Sequence, residues 1–132
     1  MTKDLKKILF VDDDEDIHLI VRMCLQEIPE LDLQSAFSGE EGIKIAMEFH
    51  PDLILLDVMM PIMDGISTLQ ALNLIPIFAK TPIIFVTAKA QKSEIESYFK
   101  LGVFDVIVKP FDPLTFAQNV QQIWDKYQQM HQ

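Results

Sequence analysis

Five short apolar segments, each followed by an amphipathic stretch, run along the chain, and no other feature narrows its possible folds as far. Lys7 to Val11 is a near-continuous apolar run, as expected of a strand covered on both faces. Leu31 to Phe37 is a weaker second segment, Asp52 to Leu56 a third, Pro82 to Val86 a fourth and Phe104 to Val108 a fifth. The stretches between them are about 10 to 15 residues long and carry apolar residues at helical spacing. Strands that alternate with helices wind a parallel sheet and cover both of its faces. The predicted fold is therefore α/β, a doubly wound (βα)5 unit with a five-stranded parallel sheet in three layers.

Local signals place the boundaries. The acidic run Asp12 to Asp16 suits a helix N-terminus, with Asp14 as its cap, and the first helix should turn Ile17, Ile20, Val21, Cys24 and Leu25 inward. Ser38 and Glu41 are spaced as a capping box before a helix with Ile43, Ala46 and Met47 inward. Asp64-Gly65 reads as turn chemistry ahead of a helix through Leu69 and Leu72, with glycine supplying backbone freedom. A fourth helix near Ser93 to Leu101 should end at Gly102. Asp112-Pro113 has the form of a cap followed by proline at the first helical position, which predicts a last helix carrying Leu114, Ala117, Val120, Ile123, Trp124 and Tyr127. The Gln-rich end from Gln128 is expected to fray.

A chain of 132 residues suits one domain spanning 1–132, with its core at about 5–127 and a tail at about 128–132. The apolar runs fall well short of the roughly 20 residues that cross a bilayer, so no membrane contact is expected. The first residues, Met1 to Lys7, lead straight into a strand without a leader pattern, which predicts a cytoplasmic protein. A net charge of −9, with 11 scattered Lys and Arg, argues against direct nucleic-acid contact. Cys24 stands alone and reads as a buried thiol without function.

Ligands of such sheets bind at the carboxyl ends of the strands, where the winding direction switches. The residues that follow the predicted strands there are Asp12 and Asp13, Asp57, Thr87 and Lys109. Packed carboxylates repel one another and call for a cation. An all-oxygen set suits a hard ion, and Mg²⁺ commonly keeps waters and accepts a phosphate oxygen beside one or two carboxylates. Lys109 adds a fixed positive charge. Phosphoryl transfer asks a protein mainly to position a nucleophile and neutralise the transferred oxygens, and this set has those parts. Asp14 reads as a helix cap rather than a ligand. His18, His50 and His131 lack metal-ligand spacing and are assigned structural or surface roles.

Four ordered blocks carry a family resemblance. They are Ile8 to Asp14, Leu55 to Gly65, Phe85 to Ala88 and Val108 to Phe111. With them the chain resembles the response-regulator receiver domains of two-component signalling over nearly its whole length. The resemblance implies a flavodoxin-like fold and a switch that takes a phosphoryl group onto Asp57. It further implies that Asp12, Asp13, Asp57 and the backbone carbonyl of Met59 hold Mg²⁺, with Mn²⁺ as a substitute. Thr87 would bond one phosphoryl oxygen and Lys109 another, and a cis Lys109-Pro110 bond is expected. The implied partners are a sensor histidine kinase or histidine phosphotransfer protein, and a downstream protein or an output domain. The implied assembly is a monomer or a weak phosphorylation-dependent dimer.

Departures from the family pattern carry expectations of their own. The positions two after the phosphoacceptor and two after the conserved threonine are Met59 and Lys89, and Lys89 is expected to shield the phosphoryl group. Val106 stands where the family has a switching aromatic, so the readout should run through Thr87 and its loop, with Phe104 and the exposed edges of Trp124 and Tyr127 as candidate partner contacts and a plain core role as the equal alternative for Trp124.

Other functions fit less well. A haloacid-dehalogenase-type phosphatase needs a second acid two residues after its nucleophile, where this chain has Met59. A flavodoxin-like cofactor carrier needs a phosphate cradle after the first strand, where this chain is acidic. An interaction module that no longer accepts phosphate has no reason to retain all five site residues. The sequence is read either as a stand-alone receiver or as the N-terminal receiver of a longer protein.

Overall fold

The computed structural model describes residues 3–131. Met1 and Thr2, part of the predicted leaderless start, and Gln132, the end of the predicted tail, lie outside the described residues. Five strands form one sheet: β1 (Lys7–Val11), β2 (Asp32–Ala36), β3 (Leu53–Leu56), β4 (Ile83–Thr87) and β5 (Asp105–Val108). All neighbours are parallel, in the order β2-β1-β3-β4-β5. Five helices connect and follow them: α1 (Glu15–Leu25), α2 (Gly39–Phe49), α3 (Gly65–Asn73), α4 (Lys92–Leu101) and α5 (Phe116–Met130). A short 3₁₀ turn at Pro76–Phe78 follows α3.

Side chains alternate across each strand, and the two halves of the core follow from that. Ile8, Phe10, Leu53, Leu55, Ile84, Val86 and Ile107 pack with Val21 and Leu25 of α1 and with Phe116, Val120 and Trp124 of α5. Leu9, Val11, Ile54, Leu56, Ile83 and Phe85 pack on the other face with Ala46, Leu69, Leu72 and Tyr98 from α2, α3 and α4. The central strands β3 and β4 are buried at every residue. The edge strand β2 alternates between exposed and partly buried residues until Ala36, which explains why its apolar signal in the sequence is weak.

Several local expectations change. The last helix begins at Phe116, with Thr115 at the N-cap position and no capping bond from its side chain. Asp112 instead closes a turn, its carboxylate accepting the Leu114 amide at 2.9 Å and its carbonyl the Thr115 amide at 3.1 Å, which leaves Leu114 84% exposed. The helix runs on through Gln128 to Met130, and the Gln128 side chain accepts the Lys3 amide at 2.8 Å. Trp124 and Tyr127 are core residues rather than partner contacts; the Trp124 indole N–H donates to the Lys3 carbonyl at 2.8 Å. Ile20 and Met47, expected inward, are exposed, whereas His18 is buried. Ser38 caps α2 through the Glu41 amide at 3.1 Å, while the Glu41 carboxylate accepts from Phe37, one residue before the cap, at 2.9 Å.

Candidate functional site

β1 lies between β2 and β3, so the chain leaves β1 toward one edge and returns past it to β3. That reversal is the switch point of the sheet, where loops from two directions part and open a crevice. Val11 pairs with Leu56, so the next residues, Asp12 and Asp57, leave neighbouring strands side by side. The Asp57 amide donates to the Val11 carbonyl at 2.9 Å. Thr87 likewise pairs with Val108, and the Lys109 amide donates to the Thr87 carbonyl at 2.9 Å, which sets Lys109 at the mouth of the same crevice.

The structure brings Asp12, Asp13, Asp57 and Lys109 together, and Thr87 joins them through its backbone bond with Lys109. Carboxylate oxygens of Asp12, Asp13 and Asp57 lie within 4.8 Å of one another. The Lys109 ammonium is 2.7 Å from Asp12 Oδ2 and 3.6 Å from Asp57 Oδ2. Asp12 is fully buried, and its Oδ1 accepts the Asp14 amide at 2.9 Å. Asp13 is exposed. Thr87 is buried, and its Oγ1 accepts the Lys89 amide at 3.0 Å, leaving the hydroxyl proton to donate elsewhere. Met59 enters through its amide, 3.4 Å from Asp57 Oδ1, and its side chain points to solvent.

The electrostatics are unbalanced. Three carboxylates face one ammonium, and Asp57 is only 6% exposed. Burial and, after it, the Asp12 charge raise the Asp57 pKa from 3.8 to about 6, against the opposing pull of Lys109 and the Met59 and Val58 amides. A carboxyl held that far up is an anion short of positive charge. A hard divalent cation among these oxygens supplies it, so the donor set and its charge fit Mg²⁺.

Two contributors escaped the sequence reading. The φ of Gly65 is not positive, so the turn does not need glycine's backbone freedom. A Cβ there would collide with the Asp57 carbonyl and lie 2.7 Å from Val58 Cα, so the absent side chain is what lets α3 start against the end of β3. Asp64 caps that helix, accepting the Ser67 amide at 2.8 Å. His18 is the second: its ring nitrogen Nε2 lies 2.7 Å from the Asp12 carbonyl oxygen. The Lys89 ammonium lies 3.6 Å from the Glu94 carboxylate of α4. The Lys109-Pro110 bond is cis.

A family model described as the response regulator receiver domain matches residues 8–121. The chain belongs to this family. Phosphoacceptance in two-component signalling is the function of such receivers, and they act as phospho-switches. The receiver is 38% identical over 107 residues to the transcriptional regulatory protein SrrA of Staphylococcus aureus, an alignment covering 81% of this chain and 43% of that one. It therefore spans less than half the length of that relative. Among solved structures, it resembles the chemotaxis response regulator CheY4 of Vibrio cholerae, with a TM-score of 0.82 at 28% identity, covering 90% of this chain and 98% of that one. The receiver domain of the Francisella response regulator 1452 is similar, with a TM-score of 0.81 at 30% identity over 92% and 98% of the two chains. No helix among the described residues is long and apolar enough to cross a membrane.

Proposed function

We propose that Asp57 takes a phosphoryl group from the phosphohistidine of a sensor histidine kinase or histidine phosphotransfer protein. The observation that carries this is the placing of one ammonium, that of Lys109, between the buried carboxylates of Asp12 and Asp57 at 2.7 and 3.6 Å. Asp12 and Asp13, with Asp57 and the Met59 carbonyl, would hold Mg²⁺, for which Mn²⁺ could substitute. When bound, the ion offsets the charge of the phosphoryl oxygens and of the carboxylates together.

An Asp57 carboxylate oxygen attacks phosphorus in line with the donor's P–N bond. The new P–O bond forms as the P–N bond breaks, and its electron pair returns to the donor's imidazole. Lys109, held by Asp12, neutralises one transferred oxygen, and Thr87 donates its hydroxyl proton to another. Burial of Asp57 keeps bulk water from competing for the same position. Reorienting Thr87 draws on the Lys89 amide that it accepts, so occupancy of Asp57 is transmitted to the loop entering α4.

The product is an acyl phosphate on the protein itself, so the receiver turns over no external phosphate ester. It is read by a downstream protein or an output domain, in the cytoplasm, as a monomer or a weak phosphorylation-dependent dimer, without nucleic-acid contact of its own. Incubation with acetyl phosphate and Mg²⁺ followed by intact-mass measurement tests the reading. One added phosphoryl is expected on the wild type and none on Asp57→Asn. Labelling of Asp57→Asn at the wild-type rate overturns it, as does steady turnover of a generic phosphate ester.

A further inference from the structure

Beneath the five site residues, α1 sets one more polar side chain. His18 is 96% buried by its 4% exposure, with its ring edge-on to Phe10 at 4.7 Å between centroids and tilted against Phe37 at 4.2 Å. Its Nε2 lies 2.7 Å from the Asp12 carbonyl oxygen. A carbonyl oxygen only accepts, so Nε2 carries the proton and donates it. Nδ1 has no partner among the described residues, so one bond defines what the ring does.

That carbonyl belongs to the peptide joining Asp12 to Asp13. The peptide is planar, so the direction of its C=O sets ψ of Asp12 and φ of Asp13 together, and with them the paths by which both carboxylates leave the chain. The N-terminal side of Asp12 is already held, its amide donating to the Ala36 carbonyl at 3.1 Å. The His18 bond holds the other side. A buried carbonyl left without a donor rotates toward one if it can, and here rotation would swing both acidic residues.

We propose that His18 is a positioning residue, which locks the Asp12–Asp13 peptide so that both carboxylates face the cation and Lys109. The inference rests on the reading that this acidic trio holds Mg²⁺. A side chain that merely fills space between Phe10 and Phe37 is replaceable by leucine. One that works through the Nε2 bond is replaceable by glutamine, whose amide N–H can reach the place of Nε2.

The test is calorimetric titration of the whole chain with Mg²⁺ for the wild type, His18→Leu and His18→Gln. Leucine should weaken Mg²⁺ binding about tenfold, the scale on which outer partners of metal ligands act, while glutamine stays within about threefold of the wild type. An affinity for His18→Leu within about twofold of the wild type, or an equal loss in both variants, overturns the proposal. If neither variant folds, the wild-type NMR spectrum decides. The His18 Nε2–H should appear as an exchange-protected downfield signal that moves when Mg²⁺ is added. Its absence, or ring shifts unmoved at saturating Mg²⁺, overturns the proposal equally. A folded wild type that binds no Mg²⁺ would instead remove the reading of the acidic trio, and this inference with it.

Discussion

Replacing Asp57 by asparagine should stabilise the protein in the absence of divalent metal, although it should abolish phosphoryl acceptance. The folded protein raises the Asp57 pKa from 3.8 to about 6, mainly by burial. A raised acid holds its proton more tightly folded than unfolded, so its contribution is fully present below the unfolded pKa and is lost as pH rises through about 6. About two pKa units correspond to about 3 kcal/mol, of which about 2 falls between about pH 4.5 and about pH 7.5. Asparagine has nearly the same shape and cannot ionise, so the wild type alone suffers that loss. Urea denaturation of both proteins in EDTA reads the difference. At about pH 7.5 the variant's midpoint should lie roughly 1 to 2 M urea above the wild type, and the gap should narrow by about 2 kcal/mol at about pH 4.5. Other carboxylates titrate in both proteins and cancel in the comparison. A gap that does not change with pH, or a variant less stable than the wild type at about pH 7.5, would show that Asp57 is not held at an electrostatic cost.

Mg²⁺ at about ten times its Kd should add about 1.4 kcal/mol to stability, and a thermal-shift series should show the effect fading as pH falls through about 6, because proton and cation compete for Asp57. Gly65→Ala drives a Cβ into the Asp57 backbone and should cost about 2 kcal/mol or more, with slower acetyl-phosphate labelling; unchanged melting and labelling would remove the close approach from the argument. Ile62 is fully exposed with φ of 69°, a left-handed conformation that costs a β-branched residue about 1 to 2 kcal/mol. Ile62→Asn should therefore raise stability by about 1 kcal/mol in urea titrations, and a loss would mean that the exposed isoleucine makes contacts that reward it.

Much of this was legible in the sequence because it depends on local order. The apolar segments that became β1, β3 and β4 are covered on both faces, so burial wrote a continuous signal into each. Asp12, Asp57 and Lys109 follow their strands directly and Thr87 ends its own, and in a parallel sheet strand ends meet at one edge. What was hidden depends on partners distant in the chain or on competition between equally good local signals. Asp112-Pro113 satisfies the rule for a helix start, yet the same carboxylate closes a turn on Leu114, and Phe116 is the first residue that packs inward. His18 stands between Ile17 and Leu19 on α1 and shows its role only once β1 and the exit of β2 bring Phe10 and Phe37 against it. Gly65 resembled any turn glycine until α3 was seen to begin against Asp57.

The two hidden residues and the raised carboxyl belong to one arrangement. Gly65 brings a helix start against Asp57, and the His18 bond holds Asp12 and Asp13 toward it, so the fold forces like charges together at the switch point. Lys109 offsets part of that repulsion and leaves Asp57 raised. A site built this way favours whatever brings positive charge to it. It is also sensitive to what then occupies Asp57, because Lys109 and Thr87 belong to β-strand ends joined by the Lys109–Thr87 backbone bond. Asp57 is thus linked through Lys109 to Thr87 and on to the Lys89 amide, contacts that join it to the loops after β4 and β5.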